Sequence, residues 1–164
     1  PRTAPVWPRS WGMPFSVASH FAPFQYLEAL RVYRESFSAS QSEAAQIEKP
    51  RTMVGVNVVI APTDAEAQHL LTTNVQQFLG VVTGQRMKTQ PPRDLENLYP
   101  DHLLQQVEQT LSIRAVGSPS TVVSQLEEIV AATEADELIV SANYFDPAHR
   151  IRGIELLGEA WGGL

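Results

Sequence analysis

The chain has no cysteine among its 164 residues. That excludes disulfide scaffolds, thiolate nucleophiles and cysteine-ligated zinc together. Long apolar runs are missing too, and nothing approaches the ~20 residues that span a bilayer. No charged stretch followed by an apolar core opens the sequence, so no secretory signal is visible and a cytoplasmic location is expected. Basic residues are few and scattered, twelve Lys and Arg against eighteen Asp and Glu, for a net charge of −6. The clustered cations that neutralise phosphates in a nucleic-acid binder are therefore absent. His20, His69, His102 and His149 form no H-x-x-x-H or H-E-x-x-H pair, and no metal site is expected. Walker, G-x-S-x-G and G-x-G-x-x-G motifs are not present either.

What is present describes a globular domain with a real core, 43% hydrophobic and 18% charged. A single domain over 1–164 is expected, with an irregular segment at 1–13 and a long polar loop, "GQRMKTQPPRDLENLYP", at 84–100. "PFSVASHF" (14–21) reads as a buried strand opened by a proline that needs no ladder donor. In "APFQYLEALRVYRESF" (22–37), Tyr26, Leu30, Tyr33 and Phe37 recur at helical spacing. "TMVGVNVVIA" (52–61) is β-branched and nearly continuous in apolar residues, as in a parallel strand covered on both faces. Thr63 and Glu66 then form a capping box ahead of the stripe Leu71, Val75, Phe78, Leu79 and Val82. A further helix is expected over 100–111, and another from Ser118 as N-cap with Pro119 at N1, followed by Val122, Leu126, Ile129 and Val130. "DELIVSANYF" (136–145) reads as a third buried strand, and "DPAHRIRGIELLGEAW" as a closing helix with Pro147 in its first turn. Strands alternating with helices imply right-handed crossovers and a parallel sheet. A closed (β/α)8 barrel takes ~250 residues, so the expected fold is α/β with roughly half a barrel.

Chemistry in such sheets collects at the C-terminal ends of the strands. Ser19-His20-Phe21, Ala61-Pro62-Thr63 and Ser141 with Asn143 and Tyr144 lie there. His20 suits acid, base or hydrogen-bond donor chemistry, or a strand-end histidine satisfied structurally. Asn57, inside the strongest strand, needs a hydrogen bond to be buried; it either faces a ligand or serves a neighbouring strand. "VGSPSTV" resembles a phosphate-cradling turn, but Ser-Pro at N-cap and N1 is also ordinary helix punctuation, and that reading is preferred. Asp136-Glu137 and Glu127-Glu128 read as solvated helix-end charges. On residues alone this is an α/β ligand-binding module.

The succession "GMPFSVASHFAP", "MVGVNVVIAPTDAEAQHL", "VGSPSTVVSQLEEI" and "ADELIVSANYFDPAHRIRGIELL" resembles the C-terminal half of the luciferase-like flavin-dependent monooxygenases, from about Gly12 to Leu157. The resemblance implies a partial TIM (β/α)8 barrel, about strands 6–8 with their helices in a parallel sheet. "PFSVASHF" would match strand six, "MVGVNVVIA" strand seven and "ELIVSANYF" strand eight. It further implies reduced FMN, or a deazaflavin in related branches, bound at the strand C-terminal ends and used with dioxygen on an aldehyde or another small organic substrate. His20 is then the catalytic candidate, with Ser19, His20, Asn57 and Ser141 near the flavin. A flavin reductase is a candidate partner.

Two departures from the family stand out. Its first four strands have no counterpart here, and "PVW", which would begin strand five, is separated from "PFSV" by only Pro8 to Met13. A parallel crossover takes about a dozen residues or more. "PRSW" stands where the family has a phosphate-holding segment and a helix, leaving Arg9 and Ser10 as candidates to meet a phosphate. The expectation is that Pro5–Trp7 does not pair in parallel beside Phe15–His20. A half-barrel also exposes sheet edges and an apolar face, so a homo-oligomer is expected. The alternative function is a truncated, non-catalytic paralogue or fragment that self-associates, or binds flavin without turnover.

Overall fold

A computed structural model of the chain describes residues 12–19, 25–38, 45–85, 88–96 and 98–162. The elements run β1 (Phe15–Val17), α1 (Tyr26–Ser36), β2 (Thr52–Ile60), α2 (Asp64–Val82), α3 (Asp101–Thr110), β3 (Arg114–Gly117), α4 (Pro119–Thr133), β4 (Glu137–Ser141) and α5 (Pro147–Trp161). All four strands are parallel, and β1, β3 and β4 each pair with β2. This is a partial (β/α) barrel sheet, as the alternation of strands and helices implies. The expectation for Pro5–Trp7 lies outside the described residues.

β2 has only two edges for three partners, and its hydrogen bonds say how they are shared. Successive residues of a strand turn their backbone groups to opposite edges. Arg51 O accepts from Phe15 N at 2.9 Å, while Asn57 N and Ala61 N donate to Ile113 O and Gly117 O, both at 3.2 Å. These β2-side residues are odd-numbered, so β1 and β3 lie end to end along one edge. Thr52 O instead accepts from Asp136 N at 3.0 Å, which puts β4 on the other edge.

The same alternation divides the core. Val54, Val56, Val58 and Ile60 point to one side, where Phe15, Val17, Leu30, Tyr33, Val122, Leu126 and Leu156 bury them. Val59 and Ala61 point to the other, beneath Leu70, Leu71, Phe78, Val107 and Leu111 of the excursion between β2 and β3. Each Val, Leu, Ile or Phe among these contributes about 1.5–3 kcal/mol on full burial. The 84–100 segment holds no helix or strand among its described residues, but it is fastened down. Thr73 Oγ1 donates to Gln90 O (3.1 Å), Gln76 Nε2 to Pro91 O (3.0 Å), and Arg93 N to Thr72 Oγ1 (3.1 Å).

Several elements differ from the sequence expectation. β3 was not anticipated, because a four-residue strand carries too little periodicity to be read and exists by pairing with β2. β1 and β4 are shorter than "PFSVASHF" and "DELIVSANYF" suggest. β4 is also not a buried strand: Ile139 is 45% and Val140 40% exposed, since no strand covers its outer edge among the described residues. Asp136 is not merely a solvated charge, because its Oδ2 accepts from Thr52 N at 2.7 Å and holds the start of β2. Arg34 likewise joins distant elements, donating to the carbonyls of Thr133 (2.6 Å) and Glu134 (2.8 Å) that α4 leaves unpaired at its C-terminus.

Where the short strands stop, side chains continue the ladder. Past the end of β4, the Tyr144 hydroxyl accepts from Ile60 N (2.8 Å) and donates to Ile60 O (3.1 Å). On the outer edge of β3, Gln125 accepts from Val116 N (2.7 Å) and donates to Val116 O (3.4 Å). Burial pushes the Tyr144 hydroxyl above the ordinary phenol range, with the Ile60 N–H opposing. Its ring lies against Gly153, where an added Cβ would fall 2.6 Å from the hydroxyl oxygen. Tyr144→Phe strands both backbone groups of Ile60 and is expected to cost about 1–3 kcal/mol in urea unfolding. Gly153→Ala is expected to destabilise in the same direction by displacing the ring. A Tyr144→Phe protein as stable as the wild type would show that water replaces the hydroxyl there.

Candidate functional site

The C-terminal half of β2 collects the predicted site residues that the structure describes. In a parallel pair, residues in register share a face of the sheet. Asn57 is in register with Ser141 of β4 and Arg114 of β3, and Gly55 with Ile139. Ser16 joins the same face through its register with Met53. The result is a strip of Met53, Gly55 and Asn57, flanked by Ser16 and Glu137 at Met53, by Ile139 at Gly55 and by Ser141 and Arg114 at Asn57, so that its apolar part lies in the middle between polar ends. Gly55 adds no side chain, so the middle of the strip is low.

Ser19, Asn57 and Ser141 occupy this region in different ways. Ser19 is 1% exposed, and its hydroxyl donates to Gly55 O at 2.6 Å. That bond falls in the interval on the shared edge of β2 where β1 has ended and β3 has not begun. The Ser19 proton is therefore committed to the sheet, and only its oxygen lone pairs remain for another group. Asn57 is 3% exposed and hydrogen-bonded or otherwise partnered. Ser141 is half-buried and accepts a long contact from Asn143 Nδ2 at 3.5 Å, which leaves its O–H free to donate. Arg114, in register with Asn57, is committed elsewhere: it pairs with Glu108 at 2.5 Å and donates to Leu111 O at 3.2 Å. His20, Arg9 and Ser10 lie outside the described residues. Among the described residues no group of three or more acidic or histidine side chains is placed to hold a metal ion, and no helix is long and apolar enough to cross a membrane.

The "VGSPST" turn is where the structure adds what the sequence left open. Ser118 sits at the N-cap of α4 but its side chain caps no helix N–H; it contacts Thr121 Oγ1 at 3.1 Å instead. The group seated in the turn is the carboxylate of Asp64, whose Oδ1 accepts from Ser118 N at 2.6 Å. An added Cβ at Gly117 would lie 2.6 Å from that same oxygen, so glycine is needed for the carboxylate to approach. Anions are stabilised at helix N-termini by the unpaired N–H groups, and here the protein supplies its own. Hydrogen bonds from Ser118 N–H, then Thr121 and Ser118 side chains, hold the Asp64 carboxyl below the usual carboxylate range. Sequence reasoning missed Asp64 because its partner lies 54 positions away in the chain.

A depressed carboxylate contributes stability above its unfolded pKa and loses it as pH falls through the folded value. The stability difference between wild type and Asp64→Asn, followed by thermal unfolding, is expected to be full at pH 7. It should shrink as pH falls below about 4, the ordinary aspartate range. A difference independent of pH would show that the hydrogen-bonding shape, not the charge, holds the turn.

No protein-family profile matches the chain. Curated relatives do. It is 36% identical over 151 residues to the Bacillus subtilis protein YvbT, covering 92% of this chain and 44% of YvbT. It is 34% identical over 146 residues to a luciferase-like monooxygenase of Escherichia coli K12, covering 88% of this chain and 42% of that protein. The chain thus spans less than half the length of these relatives. Among solved structures, apo-MsnO8 matches over 94% of this chain and 46% of its own, with a TM-score of 0.73 and 26% identity. The oxygenating constituent of the Pseudomonas putida 3,6-diketocamphane monooxygenase, solved in complex with FMN, shares the fold at a TM-score of 0.51 and 21% identity over 91% of this chain and 47% of its own. With its parallel strands and this succession of relatives, the chain belongs to the luciferase-like monooxygenase family and corresponds to the C-terminal half of its barrel.

Proposed function

We propose that this chain supplies one wall of a flavin site in a flavin-dependent monooxygenase that uses reduced FMN and dioxygen on an aldehyde or another small organic substrate. The observation that carries the reading is the register of Asn57, in the C-terminal half of β2, with Ser141, the last residue of β4, beside the low, apolar stretch of Gly55 and Ile139. A flat heteroaromatic ring suits such a strip, with polar groups at one border to fix its orientation. When bound, the reduced flavin would supply the electrons that activate dioxygen.

The residues of this chain have distinct parts in that reading. Ser141, half-buried with its O–H free to donate, serves an acceptor on the ring. Asn57, buried beside it, holds the floor of the strip rather than reaching into solvent. Ser19 fixes the Gly55 carbonyl and thereby the backbone under the ring. His20, the next residue in sequence, is assigned acid–base or hydrogen-bond donor chemistry toward substrate, and Arg9 and Ser10 the flavin phosphate. The Gly117–Thr121 turn is not assigned to the phosphate, because Asp64 already fills it. Arg114 is not assigned either, being paired with Glu108.

Titration with oxidised and reduced FMN, followed by flavin fluorescence and absorbance, tests this. Binding in the micromolar range is expected, weakened about tenfold, or about 1.4 kcal/mol, by Ser141→Ala. No binding of either redox form at high micromolar concentration would sink the reading and leave a non-catalytic family member.

A further inference from the structure

β3 has an outer edge as well as the one it gives to β2. Asn57 N and Ala61 N donate to Ile113 O and Gly117 O, so the odd residues of this segment face β2. Arg114 and Val116 therefore turn both their N–H and their C=O groups away from it. At Val116 the fold fills that edge with one planar group. The Gln125 carboxamide accepts from Val116 N at 2.7 Å and donates to Val116 O at 3.4 Å. A primary amide does this because its carbonyl oxygen and its N–H lie side by side in one plane, complementary to the N–H and C=O of a single extended residue.

Arg114 presents the same donor and acceptor two residues earlier, about 6.6 Å along the edge at the rise of a parallel strand. No hydrogen bond among the described residues meets that pair. Its own side chain does not cover it, being drawn toward α3 by Leu111 O (3.2 Å) and Glu108 (2.5 Å). The edge opens here into a groove of about 400 Å³ lined by Gln68, Glu108, Ser112, Arg114, Val116 and Gln125. Gln68 belongs to α2 and Gln125 to α4, and these two helices pack on opposite faces of the sheet. The groove is thus a slot in the plane of the sheet, with a strand edge as its floor. The two charges at its rim, Arg114 and Glu108, pair with each other, which favours a neutral occupant.

We propose that the slot at Arg114 binds the primary carboxamide of a small planar molecule, in the way that Gln125 meets Val116. An extended peptide does not fit the same edge, because Gln125 already holds its next position. A carboxylate lacks the donor that Arg114 O requires and would stand beside Glu108. The slot lies on the side of β3 away from β2, and the proposal stands whether or not the chain binds flavin.

Nicotinamide serves as the probe, titrated without flavin into the isotope-labelled chain and followed by amide chemical shifts. The Arg114 N–H and the Gln125 side-chain amide are expected to shift saturably, with a dissociation constant on the order of 1–10 mM for so small a ligand. N,N-Dimethylnicotinamide keeps the ring and the carbonyl but cannot donate, and is expected to bind at least about tenfold more weakly. Gln68→Trp, at an exposed position of α2, is expected to keep the far-UV spectrum, fill the slot and abolish the nicotinamide shifts. An Arg114 N–H that ignores nicotinamide at tens of millimolar overturns the proposal. So does an equal response to the dimethyl analogue, or a response that survives Gln68→Trp.

Discussion

A strand has two edges, and β2 serves three partners across them. Everything else in the molecule follows from how that is arranged. β1 and β3 share one edge end to end, so neither can be long, and β4 takes the other. Because β2 is the hub, its nine residues carry the backbone hydrogen bonds of the whole sheet and the buried valines of both faces. The structure is therefore narrow and unusually dependent on a single segment. Removing any neighbour leaves buried peptide groups of β2 without partners, and an unpaired buried group costs more than the net worth of a typical hydrogen bond.

Side chains complete what the short strands leave open. Ser19 meets Gly55 O between β1 and β3, Tyr144 meets both groups of Ile60 beyond β4, and Gln125 meets both groups of Val116 on the far side of β3. Each stands in for a peptide group that a longer neighbour would have provided. This explains why Ser19, attractive as a ligand contact at a strand end, has a structural duty first. It also explains why Gly153 is a glycine: the Tyr144 ring must come close to α5 to reach Ile60.

The same economy governs charge. The helix N-terminus at Ser118 has the geometry to hold an anion, and Asp64 is that anion. The clasp joins the first turn of α2 to the N-cap of α4 and so ties the start of the excursion after β2 to the end of β3. Arg34 does the converse at the other end of α4, satisfying carbonyls where the helix dipole is negative. Asp136 holds the entry to β2. These three charges look like surface residues in the sequence and act as long-range ties in the fold.

Much of this was legible in the residues. The β-branched run at 52–61, the Thr63–Glu66 cap, the Pro119 and Pro147 helix starts and the alternation of strands with helices determined the class, the parallel sheet and the helix positions. Those are local signals, set by side-chain period and cap chemistry within a few residues. The tertiary structure alone decided that a four-residue strand exists at Arg114–Gly117, that β4 lies exposed, that Ser141 stands beside Asn57, and that Asp64 fills the turn before α4. Each of these pairs residues tens of positions apart, and no local period records such a pairing. It is settled by which backbone groups of β2 remain free to be met.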